Sequence, residues 1–147
     1  MDFKEGVEMK VVQKRIRFSS RGEGDMIDLT GDVQRALGAS DVRDGIVTLF
    51  VSGSTGAITT IEYEPGLLHD FPAMLERIAP KNIFYEHERR WHDGNGHSHV
   101  RASLIGPSLT VPFKDKKLTL GTWQQITFVE LDTRSRNREI ILQILGE

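Results

Sequence analysis

Gly45-Ile46-Val47-Thr48-Leu49-Phe50-Val51 is an uncharged run of β-branched and aromatic residues, and Ser52-Gly53-Ser54-Thr55-Gly56 follows it at once. Such a run reads as a strand buried on both faces, and the small hydroxyl-rich segment after it reads as a turn. Ala57-Ile58-Thr59-Thr60-Ile61-Glu62 then reads as a second strand. The centre of the fold is therefore β. Downstream of Pro65-Gly66, the residues Leu67, Phe71, Leu75 and Ile78 recur at helical spacing, with Pro72 placed in a first turn or at a break. Upstream, Val33, Ala36 and Leu37 have helical spacing between a candidate N-cap at Thr30 and a candidate stop at Gly38. Earlier still, Lys10–Phe18 sets Val12, Ile16 and Phe18 against Arg15 and Arg17, as a half-buried strand does.

The second half adds strand-like runs near Ser98–Ile105, Leu109–Phe113, Leu118–Leu120, Gln124–Leu131 and Glu139–Leu145, with turn-like segments between them. The expected fold class is α+β, mainly β: a compact single-domain β-sandwich-like fold with about two helices in its first half. Residues 1–9 read as a loose leader and residues 10–147 as the domain.

Composition narrows the chemistry. The 147 residues include no cysteine, which excludes disulfides, thiolate metal sites and a cysteine nucleophile. Nineteen Lys+Arg against 21 Asp+Glu give a formal charge of -2, so no nucleic-acid partner is expected. No run approaches the roughly 20 apolar residues of a membrane helix, and no signal-peptide core is visible. No membrane partner and a cytoplasmic location are the simplest expectations.

Any metal site must use imidazole, carboxylate, carbonyl or water. Four of the five histidines, His87, His92, His97 and His99, fall within one short stretch around Asp93-Gly94-Asn95-Gly96. If His97 and His99 open the strand Ser98–Ile105, they share a face, with Arg101 and Ser103 beyond them and Val100, Ala102 and Leu104 behind. Two imidazoles so placed can share an ion, with His87 or His92 returning through the flexible turn. The ordinary alternative is a solvated strand end.

The Ser52–Gly56 turn could cradle a phosphate, although no Walker loop, GxGxxG or GxSxG is present. Glu130 lies on the Ile126/Phe128 face of its strand. There it would be either a desolvated acid with a raised pKa or, more simply, the partner of a basic neighbour. Arg134, Arg136 and Arg138 alternate after Asp132 and could form an anion-binding rim, with a solvated turn as the simpler alternative.

Four motifs carry a resemblance: Ser-Thr-Gly-Ala-Ile-Thr-Thr-Ile-Glu from Ser54, Asn-Gly-His-Ser-His from Asn95, Gly-Pro-Ser-Leu-Thr-Val-Pro-Phe from Gly106 and Leu-Gly-Thr-Trp-Gln-Gln-Ile from Leu120. Together they resemble the YjbQ-like family, an uncharacterised family also labelled secondary thiamine-phosphate synthase. The resemblance covers nearly the whole chain after Met9. It implies a β-rich α+β sandwich assembled as a homotrimer, with a histidine pocket near the subunit contacts. Carried over by position, its site residues are the Ser54-Thr55 loop, Glu62, His87, Asn95, His97 and His99. Two departures stand out. Many relatives have histidine where this chain has Gly53, which implies weaker metal binding or recruitment of another group such as His92. Glu62-Tyr63-Glu64-Pro65 is also shorter than the family's Asn-Glu-x-x-Asp-Pro.

The expected function is a metal-assisted enzyme acting on a small phosphorylated metabolite. His87, His97 and His99 would hold a divalent ion, zinc before others, because imidazole suits it. Glu62 and His97 would be the catalytic groups, and Ser54, Thr55, Asn95 and Arg101 the anion-binding ones. Thiamine-phosphate synthesis, which expels pyrophosphate, ordinarily calls for magnesium, so that activity is expected to be secondary. The alternatives are a non-catalytic trimer that binds a metal or small anion, and a purely structural trimer.

Overall fold

A computed structural model describes residues 6–147. Gly6–Met9 carry no strand or helix, and the first five residues of the expected leader lie outside the described residues. The chain then runs β1 (Lys10–Ser19), β2 (Met26–Asp28), α1 (Thr30–Ala39), β3 (Gly45–Val51), β4 (Gly56–Ile61) and α2 (Pro65–Ile78). It continues through α3 (Glu88–Trp91), α4 (Gly96–Ile105), β5 (Ser108–Lys114), β6 (Lys117–Leu118), β7 (Gln125–Glu130) and β8 (Asn137–Gly146). The fold is α+β and mainly β, as expected.

Two sheets face each other. One has the order β1-β8-β3-β5-β6, and the other is β2-β7-β4. β8 is an inner strand of the larger sheet because its apolar alternation matches two neighbours, Ile140 lying opposite Ile16 on β1 and Val51 on β3. Leu49, Val47, Leu142, Ile144, Ile126 and Phe128 meet between the sheets, and α1 closes one end with Leu29, Val33 and Leu37. Fully burying each such side chain contributes about 1.5–3 kcal/mol relative to leaving it exposed.

Strand β7 is buried on both faces. Ile126 and Phe128 point into the inter-sheet core, while Val129 and Leu131 enter a second core with Ala57, Leu75 and Ala102. A layer of helices therefore covers the outer face of the small sheet. Helix α2 spans Pro65–Ile78 and runs through Pro72 rather than breaking there. It starts on Glu64, whose carboxylate accepts from the Gly66 amide at 2.8 Å, and it is anchored by fully buried Leu75. Likewise α1 passes through Gly38 and ends at Ala39.

One element differs in kind. Ser98–Ile105 is not a strand but most of the helix α4. Its buried positions are His97, Ser98, Arg101 and Ala102, spaced for a helix, while Val100 and Leu104 are exposed. The usual polarity is inverted, with polar groups inside and aliphatic ones outside. Val100, Ala102 and Leu104 alternate in sequence as a strand face would, although on the helix Ala102 turns inward and the other two outward.

Candidate metal and anion site

The change from strand to helix redistributes the histidines. On a helix, residues two apart point nearly opposite ways, so His97 and His99 cannot share an ion through one face. His97 turns inward, fully buried, and its Nε2 pairs with the Glu23 carboxylate. Glu23 also accepts from Lys81 Nζ at 2.8 Å. Burial pushes the Glu23 carboxyl up, yet the Lys81 and His97 contacts prevail and hold it below its usual value. His97 is thus a ligand of Glu23, not of the expected metal cluster.

Arg101 is likewise structural. Its Nε donates to the Ala79 carbonyl at 2.9 Å and its Nη2 to Glu76 at 2.6 Å, tying α4 to α2. It does not reach an anion pocket. Glu62 also falls elsewhere: it is exposed just beyond Ile61, at the opposite end of β4 from Gly56. Five strand steps separate the two ends, about 17 Å.

His99 points the other way and meets His87, with ring centroids 4.5 Å apart. Asp93 completes the group. One ligand atom from each of His87, Asp93 and His99 lies within 4.8 Å of the others. His87 Nε2 and Asp93 Oδ1 are 3.2 Å apart, close to the spacing of two donors that share a tetrahedral ion at about 2.0–2.1 Å. His92, the suggested substitute ligand, is instead exposed at the left-handed end of α3.

The segment carrying His87 and Asp93 is held by local chemistry. The Glu88 carboxylate accepts from the amides of Gly94 at 3.0 Å and Gly96 at 3.2 Å. Gly96 lets the segment lie flat on α4, because a Cβ there would stand 2.4 Å from Tyr85 Cβ. Asp93 accepts from the Asn95 amide at 3.0 Å. That bond, aided by the two imidazoles and opposed by burial, holds the Asp93 carboxyl below its usual range.

Asp93 and His99 open into a pocket of about 300 Å³ that Ser52–Thr55, Asn95, Asp132 and the arginines 134, 136 and 138 also line. That size is at the lower end for small-molecule sites, about 300–1,000 Å³. Its floor is a buried network. Arg138 binds Glu130 through Nε at 2.8 Å and Nη2 at 2.9 Å, and Nη2 also donates to Thr55 Oγ1 at 3.0 Å. Thr55 Oγ1 donates in turn to Asp132 at 3.0 Å, and buried Asn95 Oδ1 accepts from the Thr133 amide at 3.2 Å. Glu130 is the desolvated carboxylate of a basic pair that its strand position suggested. Burial raises its pKa, and Arg138 opposes the rise.

Asp132 behaves oppositely. Burial pushes its carboxyl up, but the Arg134 amide, the Thr55 hydroxyl, Arg136 and Asn95 together hold it below the usual 3.8. A lowered folded pKa stabilises the protein above the unfolded value, and that stabilisation disappears as pH falls through the folded one. Chemical denaturation should therefore show wild type more stable than Asp132→Asn at pH 7, with the gap closing below pH 3.8.

Of the expected residues, the structure brings together Ser54, Thr55, Asn95, His87 and His99. It places Glu62, His97 and Arg101 apart from that group. It adds Asp93, Asp132 and the arginine row. Asp93 was legible as the only carboxylate in the turn between histidines. The arginine row was visible, but an alternating triad beside a turn does not reveal that one member is buried.

These features define a class: a two-sheet α+β domain with a helical cover, carrying an imidazole–carboxylate cluster at the mouth of an arginine-lined pocket. The chain belongs to the UPF0047 protein YjbQ-like family, whose model matches residues 14–147. A UPF0047 protein of Methanothermobacter thermautotrophicus is 40% identical over 142 residues, spanning 97% of each chain. The crystal structure of a YbjQ-like protein of unknown function from Sulfolobus solfataricus superimposes with a TM-score of 0.88 at 34% identity, covering 95% of this chain and 100% of that one. An uncharacterised family member from Clostridium acetobutylicum gives 0.77 at 34% identity, covering 88% and 98%.

Proposed function

We propose that the protein is a metal-assisted enzyme acting on a small phosphorylated metabolite, with His87, Asp93 and His99 as the metal ligands. The observation that carries this reading is that Asp93 and His99 line the same pocket as three arginines. The donor set fits zinc: two imidazoles and one carboxylate, with a fourth position left for water or substrate. A zinc ion held there would supply Lewis acidity or an activated water. The chain's own residues would bind and orient an anion through Ser54, the loop amides and the arginines. Thiamine-phosphate synthesis stands in this reading as a secondary activity.

One observation favours a second reading, a non-catalytic metal- or anion-binding protein. Glu62 lies outside the pocket, Asp132 is engaged by Thr55, Arg134 and Arg136, and Glu130 by Arg138. Among the described residues the pocket therefore presents no uncommitted carboxylate besides Asp93 for acid–base work. Homotrimerisation, implied by the family resemblance, is part of both readings. The exposed Val100 and Leu104 on α4 give it an apolar surface. Among the described residues no helix is long and apolar enough to cross a membrane, and a cytoplasmic location remains part of the proposal.

The test is zinc titration of the untagged protein by calorimetry. Wild type should bind one ion per chain, and His87→Ala and His99→Ala should each weaken binding by about 100-fold or more. His97→Ala should bind zinc as wild type does. A wild type that binds no zinc, manganese or iron would overturn the metal assignment. If metal binds as expected, thiamine phosphate formation left unchanged by His99→Ala would move that side activity to another site.

A further inference from the structure

We infer that the loop Gly53–Thr55 together with Arg134, Arg136 and Arg138 forms a subsite for a phosphomonoester dianion, energetically coupled to the metal cluster beside it. The inference rests on the metal reading for its coupling, and on its own observations for the subsite.

The first observation is a donor count at Arg138. Its side chain is only 6% exposed, and among the described residues no fully buried side-chain nitrogen lacks a partner, so the part of the guanidinium left open is the part that reaches the pocket. Nε and Nη2 are taken by Glu130 and Thr55, but Nη1 has no partner among the described residues. That nitrogen lies 3.0 Å from where a Cβ on Gly53 would stand, so it is aimed at the loop that walls the pocket. Glu130 grips the other side of the guanidinium and fixes its plane. A buried, oriented and half-free guanidinium is a preorganised anion donor.

The second observation is the loop itself. The amides of Gly53, Ser54 and Thr55 have no acceptor among the described residues, and Ser52 and Ser54 are exposed. Consecutive unpaired amides of this kind suit an anion. Arg134 adds a guanidinium without a side-chain partner among the described residues, and among them the Arg136 guanidinium has only a 3.5 Å contact to Asp132.

Charge decides which anion. The three arginines lining the pocket are matched by Glu130, Asp132 and Asp93, so the metal-free pocket is formally neutral with its imidazoles uncharged. A divalent ion makes it doubly positive. A phosphomonoester, close to a dianion at pH 7, restores neutrality, whereas a phosphodiester monoanion does not. Metal and phosphate should therefore bind cooperatively, each raising the other's affinity by the same factor.

The test is calorimetry with inorganic phosphate, methyl phosphate and dimethyl phosphate on zinc-loaded and metal-free full-length protein. Wild type should bind the two dianions at least about 10-fold more tightly when zinc-loaded, and dimethyl phosphate at least about 10-fold more weakly than methyl phosphate. The double variant Arg134→Gln/Arg136→Gln should lose about 10-fold or more in phosphate affinity while binding zinc, measured without phosphate, as before. Because neither residue packs in the core, that variant should fold; Arg138→Lys is the second probe and should weaken phosphate binding further.

Equal phosphate binding by wild type and the double variant would overturn the subsite, as would equal binding of diester and monoester. These results leave the zinc reading intact. If wild type binds no zinc, the metal reading fails alone, and arginine-dependent phosphate binding by the metal-free protein still supports the subsite. Methyl phosphate binding at least as tightly as phosphate assigns the site to the phosphoryl group of a larger molecule; binding of inorganic phosphate alone assigns it to the free anion.

Discussion

Glu130→Ala should lower folding stability by about 3–5 kcal/mol, because it leaves the Arg138 guanidinium buried without its counter-charge. Glu130 is fully buried and Arg138 is 7% exposed, so water cannot replace the lost partner at little cost. For a chain of this length each kcal/mol corresponds to about 2–4 °C, and the midpoint of thermal unfolding should fall by about 10 °C. The pair also joins the two sheets. Arg138 belongs to β8, opposite Phe18 in the larger sheet, while Glu130 ends β7 in the smaller one. A double variant Glu130→Ala/Arg138→Met should recover much of the loss, since exchanging both charges for apolar groups removes the stranded cation. Urea unfolding of the three proteins decides the matter. A single-variant loss below about 1 kcal/mol would mean that Arg138 finds solvent on the pocket side.

Phe128→Ala should have a comparable effect, about 3–5 kcal/mol, for a different reason. The ring is fully buried between the sheets and meets Phe18 edge-on at 5.1 Å, with the Arg138 guanidinium 5.6 Å over its face. Truncation opens a cavity next to the site floor, and the strands on either side can collapse only partly. Because Phe128 and Glu130 both touch Arg138, the double variant Phe128→Ala/Glu130→Ala should fall short of the summed losses by about 0.5 kcal/mol or more. Denaturant titration of the singles and the double measures that coupling. Strict additivity would show that the ring and the carboxylate act on separate parts of the network.

Most of the fold was legible because its strands obey simple periodicities. β1 alternates and β7 is buried on both faces. By contrast β3, expected to be buried on both, buries only Val47, Leu49 and Val51 and leaves Ile46 and Phe50 exposed, because the helices cover the smaller sheet and not the outer face of the larger one. The second helix was equally plain from its Leu67, Phe71, Leu75 and Ile78 stripe. What failed was α4. Its inner face carries His97, Ser98 and Arg101; Ser98 is satisfied locally by Asn95, but His97 and Arg101 are buried only through Glu23, Ala79 and Glu76, which are far away in sequence. No local pattern announces such long-range satisfaction. The error then propagated into the site. A strand placed His97 beside His99, whereas the helix exchanged His97 for Asp93.

The arginine row illustrates a second limit. Arg134, Arg136 and Arg138 look alike in sequence, but only the third lies on a strand whose inward face meets Glu130. Burial, and with it the difference between a solvated turn and an oriented donor, is a property of sheet pairing rather than of spacing.

One guanidinium thus performs two duties, joining two sheets through one edge and facing a ligand through the other. A lineage drifting toward a new ligand cannot freely alter Arg138, because each trial would be screened first for folding and only then for recognition. Diversification in this scaffold should instead accumulate at Arg134, Arg136 and the loop around Gly53, whose side chains carry little of the architecture. The same division suggests how to redesign the pocket: keep the Glu130–Arg138 anchor fixed, and vary its rim.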